Sequence, residues 1–262
     1  MLTFHATGDW TPDQVKVRWV ETGRRIVPEV ETLIEHAWQA ALSRPGVRLF
    51  DGPMCRLERW GAPAQVLELD LSLTSYKPFM GTNLSHPEFV EQFGRDVMAN
   101  PVGVSPALHT ADDYLMLGRR NATLAYYPNR THPFAGALEP RDEGNLFAAV
   151  RRELSEELSL RDSDIAEIRC TGIAEDRALR QPELLFRVCT TLTRKQIESQ
   201  VHADEHGGSV AIPANRQAVA HAVGDPALTP VAVASLLLWG KIIFGDDWFH
   251  DASVPAVLCK SS

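Results

Sequence analysis

The hydrophobic and polar positions along the chain follow two different periods, which predicts a mixture of strands and helices. Residues 65–73, QVLELDLSL, alternate in period two and predict a strand, as does the stretch 16–21, VKVRWV. Apolar residues recur at helical spacing in VETLIEHAWQAAL (30–42), and HPEFVEQFGRDVMAN (86–100) predicts a second helix. The segment 73–83 between them, LTSYKPFMGTN, is rich in turn-forming residues and predicts a loop.

The second part of the chain begins at Pro101 with a predicted hairpin that ends in the strand 114–120. A long helix over Leu146–Leu158 follows, with Asn145 as its predicted N-cap. Further predicted elements are strands at 165–174, 183–192 and 209–213, a short helix opened by Thr193, and a last helix opened by Thr229 and Pro230.

This mixture predicts an α+β fold, an α/β/α sandwich in which a mixed sheet lies between helices. We expect an N-terminal α/β extension over 1–98, a main domain over 99–250 and a C-terminal tail over 251–262.

Composition and charge narrow the classes of function. The formal net charge of −8 over 262 residues disfavours nucleic acid or an anionic membrane as the main partner. The four cysteines are far apart and lack CxxC spacing, so we expect reduced thiols and no zinc site. The N-terminus lacks the layout of a signal peptide, and Lys241 interrupts the longest apolar run. A cytoplasmic protein is expected.

An acidic cluster on the long helix carries the chemistry. Glu153, Glu156 and Glu157 stand at positions i, i+3 and i+4, so they share one face of the helix. A solvated surface is the ordinary explanation, but like charges at this spacing repel by about 0.2–0.5 kcal/mol each. The second half of a helix also disfavours anions. A hard divalent cation removes the conflict, since Mg²⁺ binds carboxylate and phosphate oxygens.

Residues 152–160, RELSEELSL, resemble the R-E-U-x-E-E-x-G-U core of the Nudix box, where U is an aliphatic residue. Ser159 replaces the glycine of that core, and the preceding loop FAGALEPRDEGN is two residues longer than the box when counted from Gly136. The resemblance implies the Nudix fold for the main domain. It also implies an enzyme that uses Mg²⁺, or Mn²⁺, to hydrolyse a diphosphate linked to a further group.

The Nudix resemblance also implies roles for individual residues. The implied metal ligands are Glu153, Glu156, Glu157 and, through its backbone carbonyl, Ala135. Arg152 would orient the carboxylates through charge-assisted hydrogen bonds, so it counts as catalytic together with Glu153 and Glu156. Glu205, in the loop HADEHGG, is our candidate for a further acid that activates water, although a solvated loop acid is an equal alternative. The neighbouring His202 and His206 are weaker candidates.

Three further segments resemble the UDP-sugar diphosphatase branch of the Nudix enzymes. They are LFDGP (49–53), LTSYKPFMGTN (73–83) and NPVGVSPALHTADDYLMLGRR (100–120). The resemblance implies hydrolysis of UDP-glucose or UDP-galactose to UMP and a sugar 1-phosphate. The implied substrate-binding residues are Tyr76 against uracil, Asn83 at its edge, Lys77 at phosphate, and Arg119 and Arg120 at the diphosphate. A structural turn is an equal alternative for residues 81–83.

Two other functions remain open from the sequence. The chain could be a Nudix diphosphatase for ADP-ribose, a dinucleotide or coenzyme A, or a Nudix module that binds a nucleotide without cleaving it. The expected partner is a small nucleotide sugar, and the oligomeric state is open. Glu183, at the start of a predicted strand, is expected to be exposed.

Overall fold

The computed structural model describes residues 2–44, 49–202 and 206–253. Its strands are β1 (Leu2–Trp10), β2 (Val15–Trp19), β3 (Pro53–Gly61), β4 (Leu67–Ser75), β5 (Gly103–His109), β6 (Tyr114–Arg120), β7 (Thr131–His132), β8 (Gly136–Ala137), β9 (Ile165–Asp176), β10 (Gln181–Thr190) and β11 (His206–Pro213). Its helices are α1 (Pro28–Leu42), α2 (Tyr76–Phe79), α3 (Phe89–Phe93), α4 (Leu146–Leu158), α5 (Arg194–Glu198), α6 (Arg216–Val223), α7 (Pro230–Phe244) and α8 (Asp246–Ser253).

The larger of two sheets has the order β1-β9-β10-β5-β6-β11, with β7 paired to β6 and β8 paired to β5. Strands β5 and β10 are parallel, whereas their other neighbours are antiparallel. Val150 and Leu154 of α4 pack in the core on one face, and Leu236 and Trp239 of α7 pack in the core on the other. The predicted α+β class, with a mixed sheet between helices, is confirmed.

Strand β5 changes its neighbour along its length. It pairs with β8 at Gly103 and Val104, and with β6 at Leu108 and His109. Between these two pairings, residues 105–107 pair with neither β8 nor β6.

The N-terminal extension contains a second sheet with the order β2-β4-β3. Its apolar side, with Leu67, Leu69 and Leu71, is buried in the same core as α4. Strand β1 instead joins the larger sheet beside β9. The boundaries 1–98, 99–250 and 251–262 stay a prediction.

Several predicted elements are confirmed. The predicted helix over 30–42 is α1, and the strand predicted at 65–73 is β4, displaced by two residues. Helix α4 spans Leu146–Leu158 as predicted, and the Asn145 side chain accepts a hydrogen bond from the Ala148 backbone at 3.1 Å. This cap satisfies one of the free N–H groups of the first turn.

Other predictions are wrong. The predicted loop over 73–83 is the end of β4, helix α2 and a π-helical turn, Met80–Leu84, because burial of Phe79 and Met80 outweighs the turn propensity of the segment. The helix predicted over 86–100 is reduced to α3 and a 3₁₀ turn, because Gly94, with φ of 93°, ends α3. Glu183 is buried rather than exposed.

Within the described residues, no helix has the length and hydropathy needed to cross a membrane. Cys55, Cys170 and Cys189 have free thiols, whereas Cys259 lies outside the described residues.

Candidate active site

Arg152 organises the acidic face of α4. Its Nε and Nη2 atoms donate to the two carboxylate oxygens of Asp142, each at 3.0 Å, which is the bidentate geometry that fixes a guanidinium. Its Nη1 donates to Glu153 Oε1 at 2.6 Å and to Glu156 Oε2 at 3.2 Å. A further bond from Nη2 reaches the Ala137 carbonyl at 3.0 Å. Asp142, which the sequence analysis missed, therefore anchors the arginine that orients two carboxylates.

Glu153 lies against the backbone of strand β8. A Cβ added to Gly136 would stand 2.2 Å from Glu153 Oε1, so only glycine leaves room for the carboxylate. Burial raises the pKa of Glu153 to about 7; Arg152 opposes the shift and the charge of Glu157 adds to it. Ala135 directly precedes this contact. The buried Glu153 carboxyl group therefore lies beside the backbone that includes the Ala135 carbonyl, the predicted metal ligand.

Glu157, one turn further along α4, contacts a buried histidine. His206 Nε2 lies 3.1 Å from Glu157 Oε2, and both side chains are at most 5% exposed. Gly118 makes room for the imidazole, since a Cβ there would stand 2.3 Å from His206 Nδ1. The Phe134 ring packs against it edge-on with centroids 4.9 Å apart. His206 therefore belongs to this site, although the sequence analysis ranked it below Glu205.

The end of α4 compensates for the missing glycine. Ser159 has φ of 54° and ψ of 26°, the left-handed region that favours glycine. Its Oγ lies 2.8 Å from His202 Nε2, and the His202 backbone N–H donates to the Glu157 carbonyl at 2.9 Å. His202 thus ties the following loop to the helix end and supports the strained residue.

The remaining members of the predicted metal and catalytic set have different environments. Glu156 is exposed, and its Oε1 accepts a hydrogen bond from Arg141 at 3.3 Å. Glu205 lies outside the described residues.

The donor chemistry of Glu153 and Glu157 fits a hard divalent cation, because such ions take carboxylate oxygens and relieve the mutual repulsion of buried acids. Within the described ranges, no group of three or more His, Cys, Asp or Glu side chains is arranged as a ready-made metal site. Arg152 and His206 instead hold the two buried carboxylates. The residues fit a cation in type and charge.

The two arginines at the end of β6 point to different surroundings. Arg119 is exposed. Arg120 is buried, its guanidinium lies 4.5 Å from the centre of the Tyr126 ring, and its Nε donates to the Tyr126 carbonyl at 3.2 Å. In the strand register it lies opposite His206. Arg120 is thus the arginine that the fold brings next to the acidic site.

The three predicted substrate residues of the extension make contacts that stabilise the fold. Tyr76 packs edge-on against Trp38 and lines a groove of about 390 Å³. Lys77 pairs with Glu35 of α1. The buried amide of Asn83 donates to the Leu179 carbonyl at 3.1 Å and accepts from the Asn100 backbone at 3.2 Å. Their roles in substrate binding stay predictions.

The fold and the acidic helix define a protein of the Nudix class. No family model matches the chain. Its curated relatives include the uridine diphosphate glucose pyrophosphatase NUDT22 of Homo sapiens, which is 30% identical over 206 aligned positions covering 66% of this chain and 67% of the relative. The Bos taurus protein of the same name is 28% identical and covers 84% of this chain and 88% of its own length. The chain belongs to the NUDT22 family.

Solved structures also overlap with this chain. The NUDIX domain of Shewanella oneidensis NrtR, solved with ADP ribose, has a TM-score of 0.44 at 12% identity and covers 61% of this chain and 99% of its own. A NUDIX hydrolase from Nitrosomonas europaea has a TM-score of 0.37 at 14% identity, covering 54% of this chain and 88% of its own. These overlaps are partial, and the family assignment depends on the sequence relatives.

Proposed function

We propose that this protein hydrolyses the diphosphate of UDP-glucose and related UDP-sugars to UMP and a sugar 1-phosphate. The names of its NUDT22 relatives support the substrate. The single structural observation that supports the chemistry is the Glu153 carboxyl group, buried between Gly136 and Arg152 with Glu157 one turn away. Such a buried acidic pair is costly unless a cation or a proton neutralises it.

We further propose that Mg²⁺, or Mn²⁺ in its place, is held by Glu153 and Glu157, with Glu156 and the Ala135 carbonyl as additional ligands. When bound, the ion polarises a phosphoryl oxygen, lowers the pKa of water and orients the diphosphate. Arg152 holds the Glu153 carboxylate against β8 through a hydrogen bond. The contact of Arg152 with Asp142 keeps its own guanidinium in a fixed position. His206 fixes the rotamer of Glu157 through Nε2.

Two groups of residues are proposed to contact the substrate, one at the diphosphate and one at the nucleoside. We propose that Arg120, buried opposite His206, and Arg119, at the exposed end of β6, neutralise the diphosphate. Tyr76, Lys77 and Asn83 remain the proposed nucleoside contacts from the extension. Glu205 remains the proposed further acid.

The test is a hydrolysis assay with purified protein, a divalent cation and a panel of nucleotide sugars, ADP-ribose, dinucleotides and coenzyme A. We expect UDP-sugars to give the highest kcat/KM. Glu157→Gln should reduce kcat at least about 10²-fold, because its carboxylate acts in the transition state. The exposed Glu198→Gln on α5 is the matched control and should retain activity. Preference for an adenine-containing substrate, or full turnover by Glu157→Gln, would contradict the proposal.

A further inference from the structure

Four polar side chains are buried together on the face of the larger sheet that α7 covers. This polar nest consists of Ser105, Asp176, Gln181 and Glu183, none more than 7% exposed. Leu184 and Phe186 of β10 face the α4 side and Leu185 faces the α7 side, so Glu183 and Gln181 both point toward α7. None of these four residues has a role in the chemistry described above.

The strand register brings the polar nest together. Gln181 lies opposite Asp176 of β9, and the Ser105 hydroxyl of β5 donates to Glu183 Oε2 at 3.0 Å. Gly103 opens the space, since a Cβ there would stand 2.0 Å from the same Glu183 oxygen. The fold therefore reserves a volume beside β5 for the Glu183 carboxyl group.

The described residues do not satisfy every polar atom of the polar nest. Gln181 Oε1 is buried and has no hydrogen-bond partner among the described residues. An orphaned buried acceptor costs about 1–3 kcal/mol, and most buried side-chain polar atoms are paired. Burial raises the pKa of Glu183 to about 8, with the Ser105 hydrogen bond opposing the shift. At neutral pH Glu183 therefore carries a proton, so it can donate a hydrogen bond as well as accept one.

Aromatic rings border the polar nest. The Tyr127 hydroxyl donates to the Asp176 carboxylate, and Tyr126 precedes it with its ring against Arg120. Phe79 of the extension packs edge-on against Tyr126, with ring centroids 6.4 Å apart. Convergent donors and acceptors next to aromatic rings suit a ligand with several hydroxyl groups and an apolar face.

The polar nest lies one strand pairing away from the acidic site. Gly103, which supports Glu183, pairs with Ala137, and the adjacent Gly136 contacts Glu153. The two carboxyl groups approach this strand pair from opposite faces of the sheet. Residues 105–107 of β5 pair with neither β8 nor β6, so a ligand with its phosphate at Glu153 would reach the polar nest along this unpaired edge.

We propose that the polar nest binds the hydroxyl groups of the hexose in the nucleotide sugar. Gln181 Oε1 accepts from one hydroxyl, and Glu183 and Asp176 bond its neighbours, which gives the site its preference for a sugar over a smaller group. The identity of the ligand rests on the proposed function, whereas the binding of hydroxyl groups does not.

The experiment compares UDP-glucose with the β-methyl ester of UDP, which has the same diphosphate but no hexose hydroxyls. The variants are Gln181→Met and Glu183→Gln, both close to the original side chains in volume. Thr190→Val is the matched control, because Thr190 is a buried polar residue at the far end of the same strand. Thermal unfolding confirms that each variant is folded. Affinity is measured by calorimetry in EDTA, where no hydrolysis is expected, and kcat/KM with a divalent cation.

We expect wild type to favour UDP-glucose over the methyl ester, and Gln181→Met to reduce that ratio at least tenfold in both measurements. Thr190→Val should leave the ratio unchanged. An equal loss for both ligands, or a wild type that binds them equally well, would overturn the hexose assignment. If wild type hydrolyses neither ligand but Gln181→Met still loses affinity selectively for UDP-glucose, the proposed function fails and the polar nest stands.

Discussion

Replacing Gly136 by alanine tests directly whether the contact between β8 and Glu153 matters. The added Cβ would stand 2.2 Å from Glu153 Oε1 and 2.3 Å from its Cδ, whereas real Cβ contacts essentially never fall below 3.0 Å. The carboxylate must therefore move by roughly 1 Å, which disturbs the 2.6 Å contact between Glu153 Oε1 and Arg152 Nη1. A displacement of this size in a reacting group costs about 10²-fold in rate, and overpacking costs about 1–3 kcal/mol of stability.

The assay is steady-state hydrolysis of UDP-glucose, with thermal unfolding measured in parallel. Gly23→Ala is the matched control, because no atom lies within 4 Å of a Cβ built there. The double variant Gly136→Ala/Glu153→Asp shortens the side chain by one methylene and should lose less than the sum of the single changes. Unchanged kcat and cation affinity in Gly136→Ala would refute the proposed role of this contact.

Three further changes have defined outcomes. His206→Ala should weaken divalent-cation affinity about 10-fold or more by calorimetry, and His206→Gln, which keeps a donor, should restore part of it; equal affinity in all three proteins would exclude the positioning role. Glu175 is buried, which alone would raise its pKa, but His5 and Arg95 hold the pKa at about 2. The pKa of Glu175 in the folded protein is below its ordinary value of 4.5. Its ionised carboxylate therefore contributes fully to the stability of the fold above pH 4.5, and this contribution is lost as the pH falls from 4.5 to 2. Arg95 is 41% exposed and therefore partly screened by solvent, so we expect the free energy of unfolding to fall by about 1–2 kcal/mol over this pH range. Urea unfolding at several pH values measures this loss, which should be absent in Glu175→Gln. Asn145→Ala should lower the free energy of unfolding by about 1 kcal/mol, and a change below measurement error would contradict the cap.

Local patterns in the sequence predict the part of the site that lies on α4. The N-cap Asn145, the apolar stripe and the spacing of the three glutamates all depend on residues within one or two turns. Arg152 is close enough to its partners on the same helix for its contact with Glu156 to follow from helical geometry. These features need no knowledge of the rest of the fold.

The remaining features depend on which strands become neighbours, which periodicity does not encode. His206 reaches Glu157 only because β11 pairs with β6 and Gly118 leaves space for its ring. Glu183 is buried because β10 becomes a central strand between β9 and β5. Strand β1 joins β9 although paired residues such as Leu2 and Asp176 are far apart in the sequence. The structure explains the glycines at these pairings: Gly118 leaves room for the His206 ring, and Gly103 leaves room for the Glu183 carboxyl group. The sequence alone does not show which side chain each glycine accommodates.

The proposal that a divalent cation binds against Glu153 and Glu157 carries the account of catalysis. The most direct test is a crystal structure with Mn²⁺ and UDP, in which anomalous scattering locates the metal. We predict a Mn²⁺ peak within coordinating distance of both carboxylates, with Arg152 still in contact with Glu153 and His206 still in contact with Glu157. Full occupancy of nucleotide with no metal at α4, or a metal bound elsewhere on the protein, would contradict the account.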